Sequence, residues 1–276
     1  MPQPTPENLR EIQSLVEIVA SLRGPGGCPW DREQTLETLT TYALEEAAEY
    51  TEAVLKGEPL AIREELGDLL LQVILNSQIA KEEGLFSLED VVETISEKMV
   101  RRHPHVFGSE SAANSTEVLE RWDELKAAEK NASNSSWCFQ VPAELPGLMR
   151  AAKIGRKTAK LGFDWLDAAG VWAKVAEELE ELKQAEANDI PEEVESELGD
   201  VLFSLAQLGR HLGLDPERAL RKANLRFEQR FSTMVASCEG EIETFSQLSD
   251  SDKERLWQQA KDQEAQAKLE PKSAKM

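Results

Sequence analysis

Residues 45–55 read EEAAEYTEAVL, and residues 64–85 read EELGDLLLQVILNSQIAKEEGL. Apolar side chains recur in the second stretch at intervals of three and four, as in Leu66, Leu69 and Val73, which is the spacing of one face of an α-helix. Acidic residues run beside that face, so the helix is amphipathic with an acidic edge. Apolar residues keep helical spacing nearly everywhere in the chain and show no sustained alternation, so the sequence predicts an all-α fold.

Both stretches have counterparts in the second half of the chain. Residues 177–185 read EELEELKQA, residues 196–214 read SELGDVLFSLAQLGRHLGL, and their acidic residues follow those of the first copy by 132 positions. Two copies in the same order, with unequal loops between them, indicate tandem domains of one fold. The expected organisation is a helical domain over 1–130, a polar linker over 131–147, a helical domain over 148–268 and a disordered tail over 269–276.

The charge and composition exclude several classes of protein. Acidic side chains outnumber basic ones by 52 to 31, and the net charge of −21 repels nucleic acid and anionic membranes, so neither is an expected partner. The apolar runs are too short to span a bilayer and the first residues lack a signal-peptide core, so we expect a cytoplasmic protein. Because the first 130 residues carry a charge of −14 and the remainder −7, the second half is better suited to an anionic ligand.

Four acidic residues in each half form a pattern suited to metal binding. In each half an ExxE is followed, sixteen residues after its second glutamate, by an ExxD, and residues i and i+3 of a helix share one face. Short connections let the two helices pack antiparallel so that their acidic faces meet. Four carboxylates in one place repel unless a cation neutralises them, and an all-oxygen set suits Mg²⁺, or Mn²⁺ as a substitute. The predicted ligands are Glu46, Glu49, Glu65 and Asp68 in the first half and Glu178, Glu181, Glu197 and Asp200 in the second.

The alternative for these acids is a solvated helix face, since ExxE is common in acidic helices and supports pairs with basic residues one turn away. The repetition of the whole pattern, at the same separation and beside apolar stripes, favours a functional site. Helix-start signals elsewhere agree with a helical chain: Ser87 followed by Asp90 is typical of a capping box, and Asp215 before Pro216 of a capped helix entrance.

Further motifs accompany the acids in both halves. They read LRGPGGCPWD (22–31), KMVRRHPHVF (98–107) and RWDELKAAEK (121–130) in the first half, and GFDWLD (162–167) and KANLRFEQRF (222–231) in the second. In this order they resemble the MazG family of nucleoside triphosphate pyrophosphohydrolases, over nearly the whole chain. The resemblance implies four-helix-bundle cores formed across a homodimer. It also implies Mg²⁺-dependent cleavage of nucleoside triphosphates to monophosphate and pyrophosphate, with a house-cleaning role in the nucleotide pool. An apolar face that the two acidic helices leave uncovered also favours a dimer.

The resemblance also implies which residues contact the nucleotide. They are Lys174, Arg226, Arg230, Trp257 and Lys261 in the second half and Lys98, Arg102, Trp122 and Lys126 in the first. Basic residues four apart on one helix face can hold a triphosphate, and a tryptophan four residues before a lysine can stack a base beside a cation. A tryptophan at the edge of a core, with a basic neighbour reaching past it to solvent, is the alternative. The exchange of Lys98 for Arg226 leaves open that the halves differ in substrate or that one is idle.

The sequence shows no phosphate-binding P-loop and no nucleophile triad, which favours attack by a water molecule that Mg²⁺ activates. An acid beside the ligands, Glu177 or Glu45, could orient that water as general base. Two alternatives stay open: a hydrolase restricted to one nucleotide, such as dUTP or phosphoribosyl-ATP, and a non-catalytic acidic scaffold or nucleotide-binding regulator. The sequence leaves undetermined the base, the sugar, the number of metal ions and whether the substrate is the nucleotide pool or a signalling nucleotide.

Overall fold

The computed structural model describes residues 5–109, 111, 114, 117–118, 121–122, 141–238 and 242–269. Within them no strand occurs and twelve helices can be delimited, which confirms the all-α prediction for this part of the chain. The first six are α1 (Ile12–Arg23), α2 (Pro29–Glu33), α3 (Leu39–Lys56), α4 (Pro59–Glu82), α5 (Leu88–Arg102) and α6 (Pro104–Phe107). The other six are α7 (Gly147–Ala159), α8 (Ala168–Asn188), α9 (Pro191–His211), α10 (Pro216–Ala236), α11 (Ile242–Ser246) and α12 (Asp250–Leu269).

The chain divides into two compact units, residues 1–136 and residues 137–276. Their boundary falls inside the segment 131–147 that the sequence predicts as a linker. Of the predicted tail, Leu269 is the last residue of α12, and 270–276 lie outside the described residues. Each unit contains one of the two acidic helix pairs, α3 with α4 and α8 with α9.

The two acidic helix pairs are joined by the same turn. Gly57 ends α3 and Asp189 ends α8, both in the left-handed conformation, with φ of 73° and 57°. One extended residue follows in each case, and then Pro59 or Pro191 occupies the first position of the next helix, where a missing N–H costs nothing. Because Gly57 and Asp189 are 132 positions apart, like the acids, the local sequence builds one hairpin twice.

Each unit has its own core, which fixes the far end of the acidic hairpin. In the first unit, Ile74 and Ile79 of α4 are buried together with Val19 of α1 and Leu39 of α3. In the second, the buried groups are Val171, Val175 and Leu208 on α8 and α9, and Met234, Cys238, Phe245 and Ala260 on α10, α11 and α12 or beside them. The acidic ends of the hairpins lie outside these clusters.

Beside the acids, both hairpins leave an apolar stripe uncovered. The first-half stripe consists of Leu66, Leu70 and Val73 on α4, and the second-half stripe of Leu198, Leu202 and Leu205 on α9. These six side chains are between 38% and 49% exposed, and the stripes occupy equivalent positions 132 residues apart. Contiguous apolar surface of this kind marks an interaction face. Among the described helices, none combines the length and apolarity that crossing a bilayer requires.

Candidate active site

The acidic hairpin of the first unit brings three carboxylates together. Glu46 and Glu49 come from α3 and Glu65 from α4, and one oxygen of each lies within 4.8 Å of the others. Glu46 and Glu65 are partly buried, whereas Glu49 is exposed. We call these three residues the first-half cluster.

The second unit repeats the arrangement with deeper burial. Glu178 and Glu181 come from α8 and Glu197 from α9, again with one oxygen of each within 4.8 Å of the others. The Glu178 side chain is only 7% exposed. These residues form the second-half cluster, and a carboxylate as buried as Glu178 needs a partner of opposite charge.

The fourth predicted ligand of each half is not a member of these clusters. Asp68 is partly buried one turn after Glu65, and its charge raises the pKa of both Glu46 and Glu65. Asp200, its counterpart on α9, is exposed. Asp68 is therefore close enough to act on the first-half cluster electrostatically.

Like charges and burial perturb the clusters in the direction expected of an acidic site. The pKa of Glu46 is raised first by burial and then by Asp68, Glu49 and Glu45. Burial and the charge of Glu49 raise the pKa of Glu65, and burial with a hydrogen bond to Glu178 raises that of Glu181. Each cluster therefore carries an electrostatic penalty when it is ionised.

The donor set of both clusters fits a hard divalent cation. All the converging atoms are carboxylate oxygens, which Mg²⁺ and Mn²⁺ prefer. Three or four protein oxygens leave positions in an octahedral shell for water and for phosphate oxygens. The arrangement suits an ion shared between protein and a phosphorylated substrate rather than an ion enclosed by protein.

The two halves differ in one basic residue beside the cluster. Lys174 Nζ lies 2.9 Å from Glu177 Oε1 and 2.8 Å from Glu178 Oε1, and the hydrogen bond to Glu178, followed by that to Glu177, raises the lysine pKa. The position 132 residues earlier is Tyr42, whose ring meets that of Trp30 edge-on at 5.8 Å. Among the described residues, no basic side chain forms an ion pair with the first-half cluster.

The two predicted general bases are accordingly in different surroundings. Glu45 and Glu177 are both exposed and adjacent to a cluster glutamate, as the sequence implied. Glu177 is held by Lys174, which also holds Glu178, so one ammonium group connects the predicted base to a predicted ligand. For Glu45 the structure gives no such tether within the described residues.

Apart from Lys174, which lies on α8, the predicted nucleotide contacts of the second half lie on α10 and α12. The Arg230 guanidinium donates to Glu264 Oε2 at 2.7 Å and lies over the Trp257 ring, 5.4 Å from its centroid. Arg226 is exposed one turn earlier on α10, and Lys261 is partly buried one turn after the tryptophan. The structure thus brings Arg230 and Trp257 together and leaves Arg226 open to solvent.

A pocket of about 290 Å³ lies beside Trp257, between α10 and α12. Its lining consists of Phe227, Phe231, Met234, Asp250, Lys253, Glu254 and Trp257. The Phe227 and Trp257 rings are 5.3 Å apart, so aromatic surface forms one wall. Sequence reasoning missed Phe227 and Phe231, although their spacing of four beside Arg226 and Arg230 was visible.

The first-half contacts are only partly within the described residues. Lys98 and Arg102 are partly buried near the end of α5, and the Trp122 ring lies 5.7 Å from that of His103. Lys126 lies outside the described residues. The nucleotide contacts of the first half therefore stay predictions.

We expect Mg²⁺ to stabilise the folded protein in a pH-dependent way. Since the raised pKa values mean that the folded state holds protons on Glu46, Glu65 and Glu181 more tightly than the unfolded chain, stability falls as pH rises from about 4.5 through the raised values. A cation relieves that penalty only when the carboxylates are ionised. Saturating Mg²⁺ should raise Tm by roughly 5 °C at pH 7.5 and much less at pH 4.5, measured by calorimetry.

Sodium chloride at matched ionic strength is the control for this experiment, because screening alone acts on all exposed charges. An equal rise with sodium at pH 7.5 would contradict a specific divalent site.

Comparison with known proteins gives matches over both halves. The family model described as MazG nucleotide pyrophosphohydrolase domain matches residues 34–107, and the one described as phosphoribosyl-ATP pyrophosphohydrolase matches residues 158–227. Over 250 residues the chain is 42% identical to the nucleoside triphosphate pyrophosphohydrolase/pyrophosphatase MazG of Thermotoga maritima, covering 91% of this chain and 95% of that protein. It is also 42% identical to the nucleoside triphosphate pyrophosphohydrolase of Escherichia coli, covering 93% and 99%. An uncharacterized Bacillus subtilis protein, YabN, is 42% identical over 92% of this chain and 52% of its own length.

Proposed function

The chain belongs to the MazG family of nucleoside triphosphate pyrophosphohydrolases, and on this premise we propose that it hydrolyses nucleoside triphosphates between the α- and β-phosphates. The products are a nucleoside monophosphate and pyrophosphate. The observation that supports this most directly is the acidic hairpin, built twice with three converging carboxylates. Relatives that carry this activity in their names match almost from end to end.

We propose Mg²⁺ as the cofactor, held by the first-half and second-half clusters with Asp68 and Asp200 as the nearest additional donors. When bound, Mg²⁺ supplies a Lewis acid that neutralises phosphate charge and favours ionisation of the attacking water. Glu178 is the anchor in this proposal, because it is the most buried carboxylate of the second-half cluster.

The protein's own groups bind and orient the substrate. Arg226 is free of described partners on the solvent side of α10, so it can meet a phosphate first. An incoming triphosphate competes with Glu264 for Arg230, and a base competes with the same guanidinium for the Trp257 ring. Glu177, adjacent to the cluster, is the general base of this proposal and accepts a proton from the attacking water.

The active form in this proposal is a homodimer. A single acidic hairpin is two helices, and its apolar stripe beside the acids is exposed in both units. A second copy covering the stripes would complete a four-helix arrangement around each cluster and exclude water from one side. The cytoplasmic location and the house-cleaning role stay predictions.

One observation favours a second candidate. The family model matching residues 158–227 is that of phosphoribosyl-ATP pyrophosphohydrolase, so the second half could act on that nucleotide. The bond cleaved and the acid-cluster chemistry are the same in both candidates, and the substrate distinguishes them.

The test is product analysis with the pure full-length protein. The eight common ribo- and deoxyribonucleoside triphosphates and phosphoribosyl-ATP are incubated with and without Mg²⁺, and the products are identified by phosphorus NMR. Monophosphate with pyrophosphate from several triphosphates, only with metal, is the expected result. Turnover of phosphoribosyl-ATP alone would establish the second candidate, diphosphate with phosphate would refute the cleavage position, and nucleotide binding without turnover would favour a scaffold.

A further inference from the structure

Lys174 forms an ion pair with Glu178 of the second-half cluster, whereas no basic side chain among the described residues pairs with the first-half cluster. We infer that Lys174 makes the second-half cluster take its divalent cation together with the triphosphate, whereas the first-half cluster binds the cation by itself. The inference rests on the proposed function, because it assumes that both clusters are metal sites. In this inference Lys174 lowers the affinity of the second-half cluster for the cation until a triphosphate binds.

The ion pair is built into helix α8. Lys174 and Glu178 are four residues apart, so their side chains share one helix face, and Nζ lies 2.8 Å from Glu178 Oε1. The Glu178 side chain is 7% exposed and that of Lys174 is 34% exposed, so the pair lies at the boundary between core and solvent. Salt screens a partly buried pair of this kind less than it screens an exposed pair.

A divalent cation bound to Glu178 would lie within a few ångströms of the lysine ammonium group. The converging oxygens of the second-half cluster are within 4.8 Å of one another, and one oxygen of Glu178 is already within hydrogen-bond distance of Nζ. Repulsion between the ammonium and a divalent ion at that separation is substantial even at the dielectric constant of water. The lysine must move away, or the ion must bind more weakly.

A triphosphate resolves this conflict. Its oxygens offer the ammonium group a more highly charged partner than Glu178, so Lys174 can turn from the carboxylate to the phosphate chain. Glu178 is then available to the cation, and each ligand favours the other by the same factor. The cation and the triphosphate therefore bind cooperatively at this cluster.

The first half lacks the means for such coupling. Tyr42, which has no ammonium group, occupies the position equivalent to Lys174 and packs against the first-unit core. Within the described residues, no ammonium or guanidinium group pairs with Glu46, Glu49 or Glu65. Carboxylate repulsion is uncompensated there, which favours binding of a cation in the absence of nucleotide.

The test is a titration of the full-length protein with Mn²⁺ in the absence of nucleotide. The paramagnetic resonance signal of free Mn²⁺ measures how much of the ion is bound. We expect two classes of site per chain that differ in Kd by at least about tenfold. The Lys174→Met substitution keeps the length of the aliphatic stem and removes the charge. It should lower the Kd for Mn²⁺ at the weaker class of site by about tenfold or more. An α,β-methylene triphosphate, which resists cleavage, should tighten the weaker class in the parent and have a smaller effect in Lys174→Met.

Lys183→Met is the matched control. Lys183 is on the same helix and also pairs with a glutamate, since Nζ lies 2.6 Å from Glu180 Oε1, but that glutamate is not a cluster member. The Lys183→Met substitution removes the same positive charge and should leave the Mn²⁺ affinity of both classes of site unchanged. Lys174→Gln is the second variant if circular dichroism shows that Lys174→Met has lost helix.

Three results would overturn the inference. Unchanged Mn²⁺ binding in folded Lys174→Met or Lys174→Gln would overturn the inference while leaving the metal sites intact. Equal tightening by Lys183→Met would overturn it too, because the effect would then be one of net charge. No Mn²⁺ binding by the parent, with or without nucleotide, would overturn the metal assignment of the proposed function and this inference with it.

Discussion

Replacing Glu46 and Glu178 together by glutamine is expected to reduce turnover of nucleoside triphosphates by about a thousandfold or more, which corresponds to roughly 4 kcal/mol of lost transition-state stabilisation. Glutamine keeps the shape of each side chain but removes the negative charge that a hard cation requires. Each cluster loses one carboxylate charge, and in the second half the buried partner of Lys174 becomes an uncharged amide. Steady-state kinetics at saturating Mg²⁺ measures the effect.

The single variants divide the activity between the halves. We expect Glu178→Gln to cause the larger loss, because the second half is the less acidic one and its Arg230, Trp257 and aromatic pocket lie close together. Glu180→Gln is the control, since Glu180 is an exposed residue of the same helix that pairs with Lys183 outside the cluster. A folded double variant with unchanged turnover would refute the assignment of the acids.

Local sequence signals predicted the hairpins well. The spacing of ExxE and ExxD places carboxylates on one face once a helix forms, and helix geometry leaves little freedom in where they point. The repeat of 132 positions extends to Gly57 and Asp189, so turn and acids are encoded together. The capping box at Ser87 and Asp90 is also present, with both reciprocal hydrogen bonds. These features depend on residues close in sequence.

Contacts between distant residues could not be derived in the same way. Arg230 pairs with Glu264 across 34 positions, which depends on how α10 packs against α12. Asp68 and Asp200 have the same position in the repeated motif, yet Asp68 is partly buried and Asp200 is exposed, and this difference in burial depends on packing. Lys174 has the spacing of an ion pair with Glu178, so this contact follows from residues close in sequence. The burial of Glu178, which makes the contact important, is a tertiary property.

The second large effect that we expect is loss of the dimer when the exposed apolar stripes are changed. Replacing Leu70 and Leu202 by aspartate is expected to convert a dimeric protein to a monomer and to weaken association by at least about a hundredfold, since two unpaired charges per chain would be buried in the interface. The two leucines are 38% and 47% exposed at the middle of equivalent stripes, so the substitutions change little in the core of either unit. Light scattering after size-exclusion chromatography at micromolar concentration measures the mass.

Loss of the dimer should also reduce turnover, because each acidic hairpin would then lack the two helices that complete its bundle. Leu220→Asp is the control: Leu220 is 46% exposed on α10, outside both stripes, and its replacement should leave mass unchanged. A parent protein that is monomeric at micromolar concentration, or a double variant that stays dimeric, would contradict the proposed interface. If the variant is a folded monomer with normal Mn²⁺ binding but little turnover, the clusters hold the metal without a partner, and the second copy is needed for the substrate.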